Sequence, residues 1–188
     1  VGASSDDAEQ RASDGIMNLT RDPHYHCYFG VGKDNGYRFA SVTITNGVTI
    51  DTAYLQFYSA GVNSDTDFYT DFYGEDNSNP GTFTTTTSDM DNRTKTTASV
   101  AWDTPESWSN NTWYNSPELK TILQELEDSY DYSGGAPIVI MNFFDSGTDT
   151  RKADSYDGST TTCAKLYVEW TEGAPEIESQ RTLIGVGV

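Results

Sequence analysis

Positive charge, histidine, cysteine and long apolar runs are all scarce in this chain. Eleven basic residues stand against 29 acidic ones in 188, a formal net charge of −18. A surface this acidic repels nucleic-acid phosphates and anionic membrane faces, so neither nucleic acid nor a membrane is an expected partner. It favours solubility, and its carboxylates can attract cations. No run is long and apolar enough to insert across a bilayer as a helix. No signal peptide is visible, since Val1 is followed by small polar residues. An extracellular or cell-surface chain is therefore expected to have lost its signal already.

The same scarcities weigh against catalysis. The two histidines, His24 and His26, lie two residues apart and could share a metal, yet no third ligand accompanies them. A surface aromatic turn explains them as well, and that reading is preferred. No Gly-x-Ser-x-Gly elbow occurs. Gly30-Val-Gly32 and Gly185-Val-Gly187 do not extend into a dinucleotide fingerprint. Carboxylates are too numerous to single out a glycosidase pair. An enzyme is not expected, and no cofactor is required.

What is abundant points to strands. The chain has 12 Tyr, 8 Phe, 4 Trp and 16 Gly, with many Thr and Ser. Such usage suits pleated sheets and tight turns. Residues 37–44 alternate at period two, with Arg38, Ala40, Val42 and Ile44 on one face, and Asn46-Gly47 then makes a turn. In residues 53–59, Ala53, Leu55 and Phe57 face in while Tyr54, Gln56 and Tyr58 face out. Further strands are predicted over 65–73, 96–102, 137–144 and 163–170. One helix interrupts them, over about 116–128, with Ser116 at the N-cap and Pro117 at the first helical position. Its Leu119, Ile122, Leu123 and Leu126 form an i, i+3, i+4, i+7 stripe. The expected fold is all-β: an antiparallel β-sandwich or jelly roll over residues 1–173, closed by one short capping helix.

Several segments follow one another in a familiar order. They are Ser5-Asp-Asp-Ala-Glu, Tyr37-Arg-Phe, then Asn46-Gly-Val-Thr-Ile-Asp-Thr-Ala-Tyr-Leu-Gln-Phe, Thr97-Ala-Ser-Val-Ala-Trp, Ser116-Pro-Glu-Leu and Arg151-Lys-Ala-Asp-Ser-Tyr-Asp-Gly. Over about residues 3–171 the chain resembles the DNRLRE-type β-sandwich modules of bacterial secreted proteins, which are related to carbohydrate-binding-module-like jelly rolls. The family usually has a proline before the turn glycine, where this chain has Thr45-Asn46-Gly47. The resemblance implies a sandwich fold and a place in a cell-surface or matrix protein, and it implies no particular ligand.

Four sets of residues are candidates for chemistry or contact. Cys27 and Cys163 are the only cysteines, and in an oxidising compartment they are expected to pair as a disulfide; two unrelated thiols are the alternative. Asp65, Asp67 and Asp71 share a strand face, and Glu75, Asp76 and Asn77 follow in a turn. These are hard oxygen ligands that suit Ca²⁺, although solvated carboxylates are the simpler reading. Asp145, Asp149, Asp154 and Asp157 form a second acidic group. Tyr54, Tyr58, Trp108 and Trp113 could stack on a polysaccharide, or could be ordinary outward strand residues and cover for the helix base. Asn18, Asn92 and Asn110 open glycosylation sequons, which a Thr-rich chain also produces by chance. A buried Arg38 should pair with Asp7, Glu9 or Glu75, and Arg151 with the Asp154 region.

The last segment differs from the rest. Residues 174–180 read as a polar linker, and residues 182–188 are apolar and uncharged. Leu183, Ile184, Val186 and Val188 could pack back on the chain's own sheet or add a strand to the next subunit. The expected function is thus a non-catalytic structural protein of an extracellular filament, sheath or matrix, partnered by copies of itself or by neighbouring matrix proteins. A carbohydrate-binding adhesion module is the alternative.

Overall fold

A computed structural model describes residues 1–20, 26–62 and 66–172, apart from the side chains of His26 and Cys27. A 3-10 turn at Ser4–Asp6 leads into β1 (Asp7–Arg11), β2 (Met17–Asn18), β3 (His26–Gly30), β4 (Lys33–Val42), β5 (Val48–Tyr58) and β6 (Phe68–Gly74). Then come β7 (Val100–Asp103), β8 (Trp113–Asn115), helix α1 (Lys120–Ser129), β9 (Ala136–Gly147), β10 (Thr150–Asp154) and β11 (Lys165–Glu172). The larger sheet runs β10-β3-β4-β9-β6-β7, with β1 added on β4 and β2 on β1. The smaller sheet runs β11-β5-β8. All the pairings among these strands are antiparallel. The fold is an antiparallel β-sandwich with one short helix.

The two inner faces close over an aromatic centre. Trp102 of β7 lies 5.3 Å from Phe29, 5.3 Å from Phe68, 5.6 Å from Phe72 and 6.0 Å from Phe57, ring centre to ring centre. Ala53, Leu55 and Phe57 of β5 meet these rings from the opposite sheet, fully buried as their alternation predicts. Each well-placed aromatic pair adds about 0.5–1.5 kcal/mol beyond the area it buries. The α1 stripe Leu119, Ile122, Leu123 and Leu126 joins the same core.

The periodicity of β4 misassigns its faces. Tyr37 and Phe39 are buried, while Arg38 is half-buried on the other side and Ala40 is exposed. A register shift between Phe39 and Val42 then reverses the parity, so that Val42 and Ile44 turn inward. A bulge inserts one unpaired residue, and every side chain beyond it changes face. Arg38 therefore pairs not with Asp7, Glu9 or Glu75 but with Asp6, at 2.9 Å, and it also donates to the Pro80 carbonyl. Arg151 is fully buried and donates to the backbone carbonyls of Pro105, Glu106 and Thr150.

Residues 75–99 form no helix or strand of their own and pack on the outer face of the larger sheet. Phe83 and Met90 bury against Ala8, Met17, Val139 and Met141 in a second core. The Phe83 ring lies on Gly36, where a Cβ would sit 2.3 Å from the ring. Arg93 stacks on the other side of this unit, 4.3 Å from the Phe83 ring centre, and pairs with both Glu75 and Asp89.

Helix α1 starts later than Ser116 suggests. Its N-cap is Leu119, without a side-chain cap. The Ser116 hydroxyl instead accepts the Leu55 N–H of β5 at 3.0 Å. Its neighbours do the same for the rest of that strand edge. Glu118 accepts the Ala53 N–H, Gln124 the Ile50 N–H, and Glu127 the Gly47 and Val48 N–H groups. The backbone N–H groups of Leu119 and Ser116 donate to the carbonyls of Ala53 and Leu55. Strand β8 covers only Gln56 to Tyr58 of this edge. The helix region takes the place of a strand along the remainder.

The expected Cys27–Cys163 disulfide is not formed. Cys163 is a free, buried thiol in the turn after β10, its sulfur 3.6 Å from the Thr160 carbonyl and 4.0 Å from that of Val1. Cys27 sits on β3 opposite Ala153. Burial pushes the Cys163 thiol pKa up, which leaves it a poor nucleophile.

Candidate functional site

The two edges of the smaller sheet are treated very differently. The β5 edge is saturated by β8 and by the helix region. On the opposite edge, among the described residues, no strand pairs with β11 on the side away from β5. Bare strand edges invite another chain, and soluble proteins normally cover or blunt them.

The inward side of this edge is apolar and incompletely covered. Leu166, Val168 and Trp170 stand opposite Leu55, Ala53 and Ile50 in the β5 register, so they point toward the core. Leu166 and Val168 are nonetheless only half-buried, and Trp170 keeps 36% of its surface exposed. Across from them, β4 has reached its bulge and diverges. A groove of about 350 Å³ lies between, lined by Phe39, Val42, Leu166, Val168 and Trp170, with Ser41 and Thr43 at its rim. Among the described residues the sandwich is therefore open along one side. The face comprising Ala164, Leu166, Val168 and Trp170 is readable from period two. That half of it stays uncovered is not, because coverage depends on where β4 bends.

The outward face of the smaller sheet gathers the predicted stacking residues. Tyr54 lies opposite Tyr167, Tyr58 opposite Trp113, and Gln56 between Lys165 and Asn115. The sequence reading missed Tyr167, although the same alternation places it outward. These rings do not form a flat platform. Tyr54 and Tyr167 stack on each other at 4.7 Å and 12°. Tyr58 meets Trp113 edge-on at 5.2 Å, and the Lys165 ammonium caps the Trp113 ring at 4.2 Å. Such cross-strand pairs stabilise a sheet by themselves. Trp108 is not on this face. It is a core residue, 1% exposed, stacked on Tyr114 at 4.9 Å.

The acidic residues proposed for Ca²⁺ are dispersed. Asp67 accepts hydrogen bonds from the Thr148 N–H and hydroxyl. Asp71 faces outward near Asp145 and Asp103; partial burial and these two carboxylates push its pKa up. Glu75 pairs with Arg93 and accepts from the Asn77 amide, while Asp76 accepts from the Tyr130 hydroxyl. Asp65 lies outside the described residues. Among the described residues no group of three His, Cys, Asp or Glu side chains is placed to hold a metal ion. Asn92 and Asn110 are exposed and Asn18 is half-buried. The tail, with Leu183, Ile184, Val186 and Val188, lies outside the described residues.

Among the described residues no helix is long and apolar enough to cross a membrane. The sequence matches no protein-family model and none of the curated proteins.

Proposed function

We propose that this chain is a non-catalytic structural module of an extracellular filament, sheath or matrix, joined to copies of itself through the β11 edge. The observation that carries this reading is the contrast between the two edges of the smaller sheet. Four side chains on and around α1, those of Ser116, Glu118, Gln124 and Glu127, close the β5 edge, while among the described residues β11 is left with an apolar groove beside it. An isolated protein gains nothing from that asymmetry, whereas a module that must be joined does. The extracellular setting is supported by the resemblance to DNRLRE-type modules and by an acidic surface with exposed sequons. Sedimentation and electron microscopy across protein concentration test the reading. Ordered polymers are expected, and a monomer under all concentrations and salt conditions overturns it.

Polysaccharide binding finds less support. The outward aromatic rings are engaged with one another or capped by Lys165, so few ring faces are free to receive a sugar.

A further inference from the structure

Resting on the structural reading above, we propose that the β11 groove is the acceptor for residues 182–188 of a second copy of this chain. The occupant follows from length, pattern and charge. Strand β11 offers three inward positions, Leu166, Val168 and Trp170, along an eight-residue edge. Residues 182–188 are seven residues long, and at the period of a strand Ile184, Val186 and Val188 would share one face. Leu183, Gly185 and Gly187 fall on the other. The β-branched face suits the groove, and on the opposite face Leu183 is the one large side chain beside two glycines. Two glycines also permit close backbone approach along the edge.

The linker favours a neighbour over the chain's own groove. A hairpin back onto β11 needs about two to five loop residues. Nine residues, 173–181, separate Glu172 from Thr182. Extended, they reach roughly 30 Å, about the diameter of a small domain. They also carry Glu176 and Glu178 against one basic residue, Arg181, and Glu172, Glu169 and Asp51 already lie at the end of β11 where a fold-back would turn. Like charges at that turn oppose the hairpin. An exchange in which each tail enters the next copy's groove is heterologous, so it propagates as a ring or an open filament.

Two defective copies test this. A copy lacking residues 182–188 retains the groove and loses the donor. A Val168→Lys copy retains the donor and has a charge in the groove; circular dichroism and a melting curve establish that each is folded. Each alone is expected to sediment as a monomer, and an equimolar mixture as a 1:1 dimer. Titrating the truncated copy into full-length protein is expected to shorten the polymers by capping their ends, which keeps the test decisive if Val168→Lys does not fold. Should the truncated copy polymerise like the full chain, this inference is wrong while the structural role stands. The same holds if folded copies stay monomeric when mixed, or if truncation destabilises a monomer that never exchanges its tail. If the full-length chain never assembles, both fail.

Discussion

Replacing Asp7 with Asn should remove much of the pH dependence of this protein's stability between pH 4 and 7. Asp7 begins β1 with only 3% of its surface exposed. Burial pushes its pKa from 3.8 up to about 7, helped by the nearby carboxylates of Asp157 and Asp6 and opposed by a 2.7 Å hydrogen bond from the Tyr156 N–H. The folded state thus holds a proton that the unfolded chain has released by about pH 4. Where the native state binds more protons, stability falls as pH rises. The loss runs from pH 4 to about pH 7 and is complete above that. A rise of about three units corresponds to roughly 4 kcal/mol, or on the order of 10 °C in melting temperature for a domain of this size. Asparagine keeps an oxygen for the Tyr156 N–H and cannot ionise. Asp7→Asn should therefore match the parent near pH 4 and exceed it above pH 7. Other groups, including Asp34, whose pKa burial also raises, affect both proteins alike and cancel in the difference. Urea unfolding from pH 4 to 8 measures it. Parallel stability curves for the two proteins would show that Asp7 is not held protonated by the fold.

Three further outcomes are expected. Gly36→Ala should cost about 1–3 kcal/mol by overpacking, because its methyl would meet the Phe83 ring at 2.3 Å and lift the 75–99 segment; thermal melts and proteolysis of that segment report it. Cys163 should resist alkylation in native, unreduced protein and react fully in denaturant, with no reductant needed, as a free buried thiol does; mass spectrometry of the alkylated peptides decides this. Assembly should strengthen with added salt, since subunits each carrying a net charge of −18 repel; light scattering between about 0.05 and 1 M salt measures it, and polymers that dissolve in salt would contradict it.

Legibility in the sequence followed the regularity of each element. In β5 strict alternation assigned Ala53, Leu55 and Phe57 to the core without error. The α1 stripe was equally plain, because four apolar residues at helical spacing have few other uses. In β4 the bulge after Phe39 reversed the faces, and alternation alone cannot reveal an inserted residue. Ser116 looked like a helix cap because the sequence around it suits one, yet its hydroxyl serves a strand 61 residues away in the chain. Trp108 lay among polar neighbours and is buried all the same, since nothing local reports that Phe29, Phe57 and Trp102 converge on it. Residues 75–95 have no period, and their role rests on long-range contacts of Phe83, Met90 and Arg93, while the strand expected from residue 96 begins only at Val100. For the site, the apolar face of β11 follows from period two, while its openness depends on where β4 bends.

The closing of the β5 edge by Ser116, Glu118, Gln124 and Glu127 sets the valence of the smaller sheet at one. A sheet with two bare edges can grow from both, branch, and stack sideways into insoluble ribbons. Here side-chain acceptors occupy the N–H groups of one edge, and no incoming strand can displace them without leaving carboxylates unpaired. Within the smaller sheet, strand addition is thereby left to the β11 edge alone, and the helix decides which edge that is.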